Sequence, residues 1–86
     1  MREVVLVTAE WCGACKGIAE WFTDSVIPDV TFIVRDISEV DYFVINTVPV
    51  FLFYENGNII DTHNGTIYKH NLIKRIHDLW PEKCPA

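Results

Sequence analysis

The chain has 86 residues, half of them hydrophobic, and a formal net charge of -5. That length supports one domain with one modest core, and that composition favours folding over disorder. Interspersed charges argue against nucleic-acid or anionic-membrane binding, and no apolar run approaches the roughly 20 residues of a membrane span. Met1-Arg2-Glu3 leads straight into an apolar run without a signal-peptide pattern, so the expected location is cytoplasmic.

Val4-Val5-Leu6-Val7 is a continuous apolar run that reads as a strand buried on both faces, as in a parallel sheet. Thr8 to Trp11 forms the connection to a helix. From Cys15 the apolar residues Ile18, Ala19, Phe22 and Val26 recur at helical spacing, and Pro28 is expected to stop the helix. Val30 to Val34 is the second strand, which makes a βαβ unit with parallel strands and a right-handed crossover. Ser38-Glu39-Val40-Asp41 reads as a helix start, with a short helix through about Ile45.

After Thr47-Val48-Pro49, Val50 to Tyr54 is a strand of β-branched and aromatic residues. Asn56-Gly57 is the strongest hairpin turn in the chain, and Asn58 to Thr62 pairs back antiparallel, ending at His63-Asn64-Gly65. Leu72, Ile73, Ile76, Leu79 and Trp80 form the apolar stripe of a last helix that Pro81 closes, with a frayed tail over 82–86. The order is β-α-β-α-β-β-α. The expected class is α/β, a single domain spanning 1–86 with a four-stranded mixed sheet flanked by helices.

The chemistry concentrates in Trp11-Cys12-Gly13-Ala14-Cys15-Lys16. Two cysteines three apart at a helix start place one sulfur in the cap region and the other a turn inside. Unpaired N–H groups and the positive end of the helix dipole lower the pKa of the first thiol. A thiolate with a second thiol in reach can attack a disulfide and then be released by its neighbour. The competing reading is half of a zinc site, which would also need Cys84 and a histidine; His70 and His77 lie two helical turns apart, too far for one ion. The odd cysteine count does not suit a disulfide-stapled secreted domain.

Ala9-Glu10-Trp11-Cys12-Gly13-Ala14-Cys15-Lys16, then Val48-Pro49 before a strand, then Phe53-Tyr54-Glu55-Asn56-Gly57 and Gly65, resemble the thioredoxin/glutaredoxin superfamily in this order. The resemblance implies a compact thioredoxin fold and a reductant of protein disulfides. Cys12 would be the nucleophile and Cys15 the resolving thiol. Trp11, Gly13, Ala14, Val48, Pro49 and Gly65 would meet substrate, with Pro49 in cis, and Lys16 would add positive charge near the thiolates. It also implies no cofactor beyond the redox-active Cys12–Cys15 disulfide, a monomer, and re-reduction by thioredoxin reductase or a similar flavoprotein. The alternatives are a glutathione-dependent glutaredoxin and a docking subunit without redox turnover. Three departures stand out. Ala14 replaces the family's usual proline. The chain has no room for the extra strand and helix with which thioredoxins begin. Leu6 occupies the position of the family's buried aspartate, so Cys15 is expected to give its proton to water or to the departing substrate thiolate.

Overall fold

Four consecutive apolar side chains are all buried only where a strand is covered on both faces. The computed structural model describes residues 1–40 and 47–81 and places Val4 to Val7 on β1 (Arg2–Thr8). With β2 (Val30–Asp36), β3 (Val50–Glu55) and β4 (Asn58–Asn64) it forms one sheet of order β2-β1-β3-β4. β2 runs parallel to β1, from Arg2 opposite Val30 to Thr8 opposite Asp36. β3 and β4 are antiparallel neighbours beyond it. They are joined by Asn56 (φ 53°) and Gly57 (φ 85°), the two positive φ angles of a type I′ turn.

The side-chain alternation of β1 divides the core. Val4 and Leu6 join Phe51 and Phe53 on one face, and Val5 and Val7 join Val50 and Leu52 on the other. Both α-helices among the described residues cover the first face. α1 (Gly13–Thr23) contributes Ile18 and Phe22, and α2 (Lys69–Leu79) contributes Leu72 and Ile76. Trp80, directly after α2, is 2% exposed; its indole N–H donates to Glu55 Oε1 at 3.4 Å, which fixes the end of the helix over the sheet.

Two sequence expectations are corrected. Val26 does not belong to the stripe of α1: it is 87% exposed and lies past the helix end. The helix stops at Thr23, well before Pro28. The Thr23 and Ser25 hydroxyls donate back to the Glu20 and Trp21 carbonyls, and the Ser25 N–H donates to the Phe22 carbonyl. Such local hydrogen bonds compete with helix propagation. The helix expected from Ser38 is, over the described residues, a single 3₁₀ turn at Ile37–Glu39 with Asp36 as its N-cap. Val40 is already extended, and positions 41–45 lie outside the described residues.

Candidate active site

Strand register decides which loops meet. Val7 pairs with Val50 and Thr8 with Asp36, so the residues after β1, those after β2 and those before β3 converge at one end of the sheet. Val50 pairs with Asn64, and the Gly65 N–H donates to the Pro49 carbonyl at 2.8 Å, which adds the loop after β4. Gly65 has φ +96°, a left-handed conformation that suits glycine. The site therefore lies beyond the carboxyl ends of the two parallel strands, where the open end of an α/β sheet collects its loops.

At this end the chain turns through an Ala9 carbonyl that accepts the Cys12 N–H at 3.0 Å. Cys12 is the N-cap of α1, with extended backbone (φ -93°, ψ 99°). Cys15 follows one turn inside, and the two sulfurs form a disulfide with Cα atoms 5.4 Å apart. Cys12 is 8% exposed and Cys15 2%, so the first sulfur lies nearer the surface. They cluster with Ala9, and Ile37 and Val48 pack against them. The Val48–Pro49 peptide bond is cis, and Pro49 is buried.

The electrostatics of the helix start favour a thiolate. The one acidic residue of α1, Glu20, lies beyond its first turn, so no carboxylate of the helix competes there for the free N–H groups of the helix end. Asp36 is used elsewhere: hydrogen bonds from the Ser38 hydroxyl and the Ser38 N–H hold its carboxyl below the ordinary value of 3.8. This cap anchors the 3₁₀ turn that delivers Ile37 to the cysteines.

The structure thus brings Cys12, Cys15 and Val48 into one cluster and ties Pro49 to Gly65. Gly13, Ala14 and Lys16 lie on the exposed first turn of α1. Trp11 is 73% exposed, so it is not a core tryptophan; its ring is presented to solvent. Leu6 is fully buried among the apolar residues of the main core. Sequence reasoning missed Ile37 and Ala9 as neighbours of the disulfide. The available signal for Ile37 was its place directly after a parallel strand. Among the described residues, no group of three or more His, Cys, Asp or Glu side chains could hold a metal ion, and Cys84 lies outside them.

The family model described as Thioredoxin matches residues 2–78. The chain belongs to the thioredoxin family. It is 36% identical to Thioredoxin H-type 2 of Nicotiana tabacum, over 78% of this chain and 69% of that one. It is 38% identical to Thioredoxin H1 of Arabidopsis thaliana, over 78% and 71%. Among solved structures, a wild-type poplar thioredoxin h superposes with a TM-score of 0.75 at 30% identity, over 91% of this chain and 75% of that one. A Plasmodium falciparum thioredoxin gives 0.74 at 29%, over 92% and 81%. With the disulfide-forming pair at the helix start, this thioredoxin is a thiol–disulfide oxidoreductase of the protein disulfide reductase kind.

Proposed function

We propose that this thioredoxin reduces protein disulfides with Cys12 as nucleophile and Cys15 as resolving thiol. The Cys12 thiolate attacks one sulfur of the substrate disulfide, forms a mixed disulfide and releases the other substrate sulfur as a thiolate. Cys15 loses its proton, attacks the Cys12 sulfur and expels the second substrate thiolate. The products are the Cys12–Cys15 disulfide and two reduced substrate sulfurs, so two electrons pass from protein to substrate. The observation that carries this assignment is the position of Cys12 as the N-cap of α1, joined to Cys15 one turn inside. With Leu6 at the family's aspartate position, the Cys15 proton goes to water or to the departing substrate thiolate.

Trp11, Gly13, Ala14, Val48, Pro49 and Gly65 form the surface that meets substrate. Val48 is half-buried beside the cysteines and precedes β3, so its backbone can pair with an extended substrate segment by strand addition. Lys16 supports the thiolate from the exposed first turn. The protein works as a cytoplasmic monomer, uses no redox group besides its own cysteines, and is re-reduced by thioredoxin reductase or a similar flavoprotein.

The test is insulin reduction with Cys12→Ser and Cys15→Ser. Cys12→Ser should be inactive, and Cys15→Ser should accumulate a mixed disulfide; retention of turnover by Cys12→Ser refutes the assignment. Driving wild type with NADPH and thioredoxin reductase, or with NADPH, glutathione reductase and glutathione, identifies the donor. Turnover with glutathione alone would refute the flavoprotein partner.

A further inference from the structure

The helices α1 and α2 lie on one face of the sheet, and a groove of about 750 Å³ runs between them. It begins at Ala14, one of the two residues between the reacting cysteines, so it is continuous with the surface on which exchange takes place. One wall is a face of α1 at helical spacing, from Ala14 through Gly17 to Trp21. Ile67 and the facing side of α2 form the other wall.

The charges on the α2 wall balance. Arg75 is held by Asp61 Oδ2 at 2.9 Å and by the Thr62 carbonyl at 3.2 Å, and Lys74 is offset by Asp78 on the same wall. Selection within the groove therefore falls to its apolar surface, the half-buried Trp21 and Ile67 that back onto the main core. Gly17 lines the groove without a side chain: a Cβ built there meets nothing within 4 Å, so any side chain at this position projects into open space. Glycine is a poor helix residue, and here it leaves the groove unobstructed.

Length fixes what fits. Ala14 and Trp21 are seven residues apart on α1, about 10 Å along its axis. An extended chain covers that distance in three or four residues at about 3.3 Å each. We propose that the groove seats the extended segment flanking the cystine of a protein substrate, with an aromatic or aliphatic side chain three or four residues from the attacked cysteine held against Trp21 and Ile67. This rests on the reductase reading above and adds a sequence preference to it.

The test uses peptide disulfides that differ only in phenylalanine or serine three residues from the cysteine, with pairs made for the N-terminal and the C-terminal side. Wild type should reduce the phenylalanine peptide of one pair with kcat/KM roughly tenfold higher, the low end of what one apolar contact confers. Gly17→Leu should bring that ratio to about one, each variant's serine peptide serving as its own reference. Gly17→Ala, a smaller and helix-favouring change, should lower the ratio partway and covers the case in which the leucine variant fails to fold. Equal kcat/KM within both pairs for wild type overturns the groove assignment and leaves the reductase standing. Failure to reduce any of the peptides overturns both. A ratio that survives Gly17→Leu, while re-reduction by thioredoxin reductase slows, assigns the groove to the electron donor and overturns the proposal.

Discussion

Ala14→Pro is expected to make this thioredoxin a stronger reductant by about 30 mV. Ala14 is the second residue of α1, and the side chain of an N-cap residue accepts from the N–H of the second or third helical position. In the oxidised protein Cys12, the N-cap, makes no such side-chain hydrogen bond. The Ala14 N–H is therefore available to the Cys12 thiolate only after reduction, and the bond stabilises the dithiol form alone. A hydrogen bond to a charged group contributes roughly 1.5–3 kcal/mol. The lower figure suits a sulfur near the surface, and about 1.4 kcal/mol corresponds to about 30 mV for a two-electron couple. Proline removes the donor but no intrahelical bond, because the first four N–H groups of a helix have no intrahelical partner. The reduced form loses stability, the potential falls, and the Cys12 thiol becomes less acidic because its thiolate has lost a hydrogen-bond donor. Equilibration of both proteins with a glutathione or dithiothreitol buffer measures the potential, and pH-dependent alkylation measures the thiol. An alanine form with an equal or lower potential would refute the reasoning, as would a changed potential with an unmoved Cys12 pKa.

Leu72→Ala removes a fully buried side chain from the main core, and a loss of about 3 kcal/mol is expected, read as a lower urea midpoint at unchanged slope. Gly57→Ala places a Cβ on a residue with φ 85° and should cost about 1–2 kcal/mol in the same assay, without altering the Cys12 pKa. Asp61 gives a pH-dependent effect: the hydrogen bond from Arg75 holds its carboxyl below 3.8 in the folded protein. A carboxyl depressed on folding contributes stability above its unfolded value, and that contribution is lost as pH falls through the folded one. Asp61→Asn should therefore cost roughly 0.5 kcal/mol at pH 7, and urea titrations should show the difference closing at pH 2; a constant difference across that range would contradict the ion pair's role.

Much of the fold was legible because its signals are local. Val4 to Val7 reads as an inner strand, and its burial on both faces follows from the absence of polar alternation. Asn56-Gly57 carries its turn in two residues that tolerate positive φ. The two helical stripes name their own core residues, except at Val26, where the hydroxyls of Thr23 and Ser25 ended the helix early. Periodicity counts apolar residues and cannot see that competition. The cysteine pair was likewise readable, since its chemistry depends on spacing and on a helix start.

Spacing alone set two sulfurs one turn apart at the head of α1, and local patterns set the succession of strands and helices along the chain, whereas the sheet order β2-β1-β3-β4 came from the tertiary structure. Only the tertiary structure decided what surrounds those sulfurs. Ile37, Val48, Pro49 and Gly65 come from three distant segments, and strand register brings them level with Cys12. Their contacts are non-local, so no pattern within one window of sequence encodes them. The same holds for the groove beside Ala14: each wall is visible as one face of a helix, but that the two faces stand apart on the same side of the sheet follows from how both helices pack.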